Sequence, residues 1–203
     1  MKMTAEQKKK AAAIGKLNRQ LLLTIDVLDA DIKFAADQWR KDPSNQFWRR
    51  TLVRCLCAST EGALGMLKHI MPESAKFFEI TLTPRELEVA TERRQTIENG
   101  APRTKRVFLP FADNLKETLK IFAKVHAVEI AIKYDVSGFK DLCNTFELRN
   151  KLMHPKGPFD LGVTDGAVDA AERGTQWFLH SLRDLLNDCA KRLPYYRANM
   201  SSH

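Results

Sequence analysis

The sequence predicts an all-α protein, and two observations carry that prediction. Apolar residues recur at three- and four-residue steps along most of the 203-residue chain, and residues that start or stop helices separate the runs. No segment shows the alternation of apolar and polar residues that is typical of a strand. We therefore expect a bundle of four long helices and one or two short ones, in a single domain over residues 1–203 with a frayed tail over 194–203.

The first predicted helix covers residues 5–39 and ends at Asp42-Pro43, because proline disfavours a helical conformation in the residue before it. A sustained apolar stripe of this length is typical of a helix in a bundle or coiled coil. Its members are Ile14, Leu17, Leu21, Leu28, Ile32, Ala35 and Trp39.

A second long helix is predicted over about 45–71, with Ser44 as its N-cap and Pro72 as its stop. Its predicted inner face consists of Trp48, Leu52, Cys55, Ser59, Gly62 and Met66. A different face carries charges, namely Arg50, Arg54 and Glu61. We interpret this second face as solvated charge pairs, with support of a functional site as the alternative.

The middle of the chain contains a short charged helix and a basic stretch. Thr83 at the N-cap, Pro84 at the first position and Glu86 at the third predict a helix over about 84–98. Asn99-Gly100-Ala101-Pro102 then forms a turn, and three cations follow it: Arg103, Lys105 and Arg106. This stretch is interpreted as a solvated loop or as part of a phosphate-binding surface.

The C-terminal half is predicted to contain three further helices. Asp113 can cap a helix over about 114–133, whose inward residues are Leu115, Leu119, Phe122, His126 and Ile130, with His126 as a satisfied core or interface histidine and not a ligand. A second helix follows Ser137-Gly138. Thr164-Asp165 opens the last one, which ends near Leu193 and has the inward residues Val168, Ala171, Thr175, Phe178, Leu182, Leu185 and Cys189.

Composition and charge narrow the possible function. The formal net charge of +8 favours an anionic partner, most commonly nucleic acid. The cysteines, Cys55, Cys57, Cys143 and Cys189, lie in apolar helical patterns, so we expect reduced core residues of a cytoplasmic protein. No targeting segment or membrane span is recognised. Since phosphate loops, nucleophile elbows, metal-ligand spacings and paired carboxylates are absent from the sequence, neither a metal nor another cofactor is predicted.

The stretch from Phe146 to Pro158, FELRNKLMHPKGP, combines polar residues with an apolar helix. On a helical wheel one stripe contains Phe139, Leu142, Cys143, Phe146 and Met153, with Asn150 inside it. Arg149 and His154 fall on opposite rims of the stripe, about 140° apart and roughly 7.5 Å apart along the axis. Pro155 places His154 at or next to the end of the helix.

Arg149, Asn150 and His154, followed by a proline at a helix end, resemble the motif of the HEPN superfamily. That motif is an arginine, often followed by a polar residue, and a histidine after four to six intervening positions. The segment from Phe47 to Gly62 also resembles the second helix of stand-alone bacterial members. Two other Arg–His pairs have similar spacing, Arg173 with His180 and Arg197 with His203, but neither lies on such a helix with the asparagine and the proline.

The resemblance implies a helical bundle that dimerises and a metal-independent endoribonuclease, acting as a toxin or in antiviral defence. It implies that His154 moves a proton, that Arg149 stabilises the charge on phosphorus and that Asn150 orients backbone or phosphate. RNA would be the substrate, since DNA lacks the internal 2′-hydroxyl nucleophile. The residues expected to contact RNA are Lys151, Lys156, Arg103, Lys105 and Arg106, with Arg50, Arg54 and Glu61 in support.

Two copies of the helix meeting about a two-fold axis would bring Arg149 of one copy toward His154 of the other, with the apolar stripe as part of the contact. The sequence therefore predicts a homodimer with a shared cleft, and an antitoxin protein is a further possible partner. Three alternatives stay open: a non-catalytic HEPN-like module that binds RNA, a nucleotide or a protein; a helical regulator; and an ordinary helix end without function at Arg149 and His154.

Overall fold

The computed structural model describes residues 4–98 and 101–192, and these are mostly helical. In chain order the described elements are α1 (Ala5–Lys41), α2 (Gln46–Phe77), α3 (Pro84–Thr91), β1 (Arg93–Glu98), β2 (Ala101–Arg106), α4 (Phe111–Val125), α5 (Ser137–Met153), a 3-10 helix (Pro158–Leu161) and α6 (Asp165–Arg192). The predicted all-α character is confirmed, with one small hairpin added to it. The expected frayed tail lies outside the described residues.

The chain divides into two compact units, each built from separate stretches of sequence. One contains Met1–Leu21, Leu64–Ile130 and Leu185–His203, and the other contains Leu22–Ala63 and Ala131–Asp184. We call them the first and the second unit. The second unit contains a core cluster of residues from α1, α2, the end of α5, the connection that follows it and the start of α6: Ala35, Ala36, Leu52, Val53, Leu56, Leu152, Val163, Val168 and Ala171.

Several local predictions are confirmed. All the residues predicted to face inward from α6 are buried, from Val168 to Cys189. The Thr164 hydroxyl accepts a hydrogen bond from the Ala167 amide at 3.2 Å, as expected of a helix start. His126 is buried, its Nδ1 lies 2.8 Å from the Phe122 carbonyl oxygen, and burial lowers the pKa of its ring.

The boundaries of α2 differ from the prediction at both ends. Asn45 caps the helix, because its side-chain oxygen accepts the Phe47 amide at 3.0 Å, whereas the Ser44 hydroxyl donates to Asp42. Pro72 lies inside the helix rather than ending it. The added turn buries the apolar side chain of Ala75, which opposes the loss of the hydrogen bond that proline removes. Ser74 is buried as well, but its hydroxyl has no hydrogen-bond partner among the described residues, so its burial gives no such gain.

The expected helix over 84–98 is correct only to Thr91. The capping box of Thr83 and Glu86 is present, but Glu92 adopts a left-handed conformation with φ 53° and ends the helix. The following residues form the antiparallel hairpin of β1 and β2, with Arg93 opposite Arg106. The expectation of no strands was therefore wrong, since this hairpin is polar and largely exposed and lacks the apolar alternation used to recognise strands.

Two further boundaries were misplaced in the first unit. The helix predicted over 114–133 is α4, which begins at Phe111 after Pro110 and ends at Val125. Ala127, two residues beyond the end of α4, has φ 52°, which prevents the helix from continuing. Ile130, which was expected to face inward, is 37% exposed. None of the described helices has the length and apolar character needed to cross a membrane.

Candidate functional site

The candidate site is built on the last turns of α5, whose buried face agrees with the predicted stripe at Leu142 and Phe146 but departs from it at the end of the helix. Leu142, Thr145, Phe146 and Leu152 are buried, while Asn150 is exposed and Met153 is 51% exposed. Contacts with two neighbouring helices determine which face of α5 is buried. The Cys57 thiol of α2 contacts the Thr145 carbonyl, and the backbone of Leu142 lies against Gly174 of α6. Asn150 thus lies outside the buried face, contrary to the prediction.

Arg149 lies toward α2, where a carboxylate meets it. Its Nη2 donates to Glu61 Oε2 at 2.5 Å, and its Nη1 donates to Asn150 Oδ1 at 3.1 Å. The arginine side chain is 29% exposed and that of Glu61 is 46% exposed. These contacts fix the plane of the guanidinium while leaving part of it accessible, and they neutralise much of its charge.

Cys57 lies beneath this ion pair and was not predicted to be part of the site. Burial raises the pKa of its thiol to about 12, with a smaller lowering from the Arg149 guanidinium and a further rise from Glu61. A thiol with so high a pKa stays protonated at neutral pH and is a poor nucleophile. We therefore assign Cys57 to the packing of α2 against α5.

His154 is the residue at which α5 ends. Its backbone amide donates to the Asn150 carbonyl at 3.0 Å and its φ of −133° leaves the helical range, as the proline at 155 predicts. The side chain is exposed, and no hydrogen bond or ion pair joins its imidazole to another residue of the described chain. Both ring nitrogens are therefore accessible to a ligand from solvent.

Two arginines of α2 bind the polypeptide on either side of His154. Arg54 Nη2 donates to the Leu152 carbonyl at 3.3 Å, and Arg50 Nη1 donates to the Leu161 carbonyl at 3.2 Å. Neither forms an ion pair with a carboxylate of residues 4–98 or 101–192. The prediction of solvated charge pairs on this face is thus wrong for both arginines, because they donate hydrogen bonds to carbonyls at the ends of helices instead.

The segment 154–164, which we call the α5–α6 turn, is fixed by hydrogen bonds along its length. The Lys156 amide donates to Asp160 Oδ2 at 2.8 Å. Gln46 exchanges two hydrogen bonds with the Val163 backbone, at 3.0 and 2.8 Å. Lys156 and Lys151, two of the residues predicted to contact RNA, are exposed on this part of the molecule. Phe159 is 96% exposed, a feature that the helical pattern gave no means to find.

The remaining predicted RNA contacts lie in the first unit, on β2. Arg106 pairs with Glu92 at 3.5 Å and its guanidinium lies 4.8 Å from the centre of the Phe108 ring. Lys105 pairs with Glu98, whereas Arg103 forms no ion pair with a described residue. These cations are therefore carried by an exposed hairpin and not by a loop, while the alternative interpretation as a phosphate-binding surface stays a prediction.

The competing pair on α6, Arg173 with His180, is less suited to a catalytic site than Arg149 with His154, because its histidine does not lie at the end of a helix. Arg173 donates through Nε to Asp141 Oδ2 at 3.0 Å and His180 is exposed in the middle of the helix. The second competing pair, Arg197 with His203, lies outside the described residues. Within the part of the chain that is described, no group of three His, Cys, Asp or Glu side chains could hold a metal ion.

Comparison with protein-family models, with curated proteins and with solved structures gives no match to this chain. The resemblance to the HEPN superfamily therefore depends on the residues of the two segments described above, on α2 and α5.

Proposed function

We propose that this protein is an endoribonuclease that cleaves RNA through the 2′-hydroxyl of its substrate, with His154 as the group that moves the proton. One observation carries the proposal: an exposed imidazole ends α5 and three arginines surround that end of the helix. Arg149 is part of its last turns and pairs with Glu61. Arg54 donates to the Leu152 carbonyl at the end of α5, and Arg50 donates to the Leu161 carbonyl in the following turn. The overall charge of +8 supports an anionic substrate.

In the proposed reaction the 2′-oxygen attacks the adjacent phosphorus as its proton leaves. The bond from phosphorus to the 5′-oxygen then breaks, and that oxygen takes up a proton. His154 serves as base in the first transfer or as acid in the second. Arg149, held in place by Glu61 and Asn150, stabilises the charge that builds on the phosphoryl oxygens. The products are a 2′,3′-cyclic phosphate and a 5′-hydroxyl.

A second candidate function is supported by the same ion pair. Because Glu61 lies 2.5 Å from Arg149, the guanidinium has less positive charge to offer a phosphorane than an unpaired arginine would. This favours a non-catalytic module of HEPN type that binds RNA, a nucleotide or a protein. The two candidates differ in whether loss of His154 abolishes turnover or only alters binding.

The proposal includes a homodimer, but with a different contact from the one first expected. Leu142 and Phe146 of α5 are buried within the chain, so they are not available to a second copy. On α1 an exposed apolar row of Leu23, Val27 and Phe34 recurs at the four- and seven-residue steps of a helix–helix contact. We place the dimer contact on that row. A role as toxin or defence effector, restrained by an antitoxin, would follow from uncontrolled cleavage of RNA.

The first experiment incubates purified protein with a single-stranded RNA in EDTA and identifies the ends of the products. We expect 2′,3′-cyclic phosphate and 5′-hydroxyl ends, and no cleavage of DNA of the same sequence. Cleavage that requires added divalent metal, or products with 5′-phosphates, would contradict the mechanism.

A matched pair of histidine variants separates the two candidate functions. His154→Ala should lower turnover by about 10²- to 10⁴-fold, the usual range for a general acid or base, while RNA affinity changes little. His180→Ala removes an equally exposed histidine from α6 and should leave turnover at the wild-type level. If the wild type and both variants bind RNA but the wild type does not cleave it, the result would instead support the binding module.

A further inference from the structure

Phe159 is the most exposed large apolar side chain among those identified in the described chain, at 96%. It lies in the 3-10 helix Pro158–Leu161, whereas the neighbouring Val163 is buried and anchors the turn to the core. An exposed phenylalanine gains no free energy from burial, so this position contributes little to folding. No aromatic or cation–π partner within the described residues covers its ring.

The backbone beneath Phe159 is held in place on both sides. The Asp160 amide donates to the Gly157 carbonyl at 3.1 Å and the Gly162 amide donates to the Phe159 carbonyl at 3.3 Å. Arg50 binds the carbonyl of Leu161, two residues further along the chain. Because the backbone of the turn is already held, a flat ligand that stacks on Phe159 would have to order the side chain but not the loop that carries it.

Arg54 adds a cation at the end of α5, two residues before the α5–α6 turn begins. Its Nε is buried and has no hydrogen-bond acceptor among the described residues, and its Nη2 donates to the Leu152 carbonyl. No carboxylate of the described chain pairs with it, so its charge is not neutralised as that of Arg149 is. Arg50 and Arg54 lie one helical turn apart on α2, which places their side chains side by side.

We propose that the α5–α6 turn is a nucleotide-binding subsite for single-stranded RNA, in which Phe159 stacks on a base and Arg54 binds a neighbouring phosphate. The inference rests on the ribonuclease function proposed above and names the form of RNA it takes. Aromatic stacking needs a base whose face is open, and bases in a duplex are already stacked. The exposed Lys156 and Lys151 extend the positive surface along the strand.

The test measures the affinity of the His154→Ala protein for a ten-nucleotide oligoadenylate and for a duplex RNA of the same length, at fixed salt. Adding Phe159→Ala should weaken single-strand binding about 5- to 150-fold, the range that corresponds to loss of one base–aromatic stack, with little effect on the duplex. Phe159→Trp should retain the affinity, and the fluorescence that the new indole adds should be quenched by the oligonucleotide. Phe159→Leu keeps the apolar character without the aromatic face and should weaken binding nearly as much as alanine.

Phe108→Ala is the matched control for loss of an exposed phenylalanine. Phe108 is 75% exposed, but the Arg106 guanidinium already lies over its ring, so its removal should change affinity less than about threefold. Equal losses for the two alanine variants would overturn the assignment of the stack to Phe159. If the added emission of the Phe159→Trp variant shifted with protein concentration in the absence of RNA, the assignment would also be overturned, because the ring would then contact a second copy.

The role of Arg54 is tested through the salt dependence of binding. Arg54→Gln should reduce the slope of log affinity against log salt by about 0.7, the value for one phosphate contact on a single strand. Arg54→Lys, which keeps the charge if the glutamine variant folds poorly, should retain the slope. Arg173→Gln, an arginine already paired with Asp141, should also leave the slope unchanged, and an equal reduction there would refute the assignment.

These measurements separate failure of the subsite from failure of the proposed chemistry. If the wild type cleaves RNA but Phe159→Ala binds and turns over as well as wild type, the subsite is wrong and the ribonuclease stands. If the wild type does not cleave RNA but Phe159→Ala still weakens single-strand binding selectively, the subsite stands on a non-catalytic module.

Discussion

Gly174 on α6 gives the sharpest test of how the second unit is packed. A methyl group built on its Cα would lie 2.5 Å from the Leu142 nitrogen, 2.7 Å from the Leu142 Cα and 2.9 Å from the Asp141 carbonyl carbon. All three are backbone atoms of α5, so no rotamer change can relieve the contact. To reach an ordinary contact at 3.4 Å, α5 and α6 would have to separate by roughly 0.9 Å at this point.

The expected cost of Gly174→Ala follows from two opposing terms. Alanine in place of glycine inside a helix stabilises by about 1 kcal/mol, while insertion of a methyl group into a closely packed contact costs about 1–3 kcal/mol. The net change in the free energy of unfolding should therefore lie between about zero and a loss of 2 kcal/mol, measured by urea denaturation followed by circular dichroism.

Two other helical glycines allow the prediction to be tested as a difference between variants, without relying on the absolute value of the free energy of unfolding. Gly65→Ala places its methyl group where no atom lies within 4 Å, so the free energy of unfolding should rise by about 1 kcal/mol. Gly62→Ala meets the end of the Leu28 side chain at 2.7 Å, which can rotate away, and the Thr24 methyl group at an ordinary 3.7 Å, so its effect should fall between the other two. If Gly174→Ala were as stable as Gly65→Ala, the close approach of α5 and α6 would be wrong.

Three further predictions concern the first unit. Burial lowers the pKa of His126, so near and below pH 6.5 the unfolded chain binds a proton at this residue more readily than the native protein does. The free energy of unfolding should therefore fall from pH 7 to pH 5. In the His126→Phe variant, which lacks this titrating group, it should fall less steeply. Glu92→Ala removes the carboxylate 2.9 Å from the buried Lys68 ammonium, which should cost about 1–3 kcal/mol in urea denaturation, and a neutral outcome would contradict that pairing. Thr83→Ala removes the N-cap hydroxyl of α3 and should lower stability by about 1 kcal/mol, whereas Thr83→Ser should retain it.

Elements whose signals are local could be predicted from the order of the amino acids. The inward residues of α6 were identified from their helical spacing, since one face of a long amphipathic helix can be buried in only one way. The capping box at Thr83 and the end of α5 at His154 depend on contacts within a few residues, so they too could be predicted. His126 was recognised as a core residue from its place on the apolar face of the helical pattern.

Features that depend on distant parts of the chain emerged only from its packing. Pro72 lies within α2, and the next turn buries Ala75, a gain that opposes the loss of the hydrogen bond. The rotation of α5, and with it the exposure of Asn150, is set by its contacts with α2 and with Gly174 of α6. Arg149 pairs with Glu61 and Arg54 donates to the Leu152 carbonyl, and both contacts join residues far apart in sequence. The exposure of Phe159 likewise depends on which parts of the chain pack against the turn that carries it. A helical pattern contains no information about such long-range contacts.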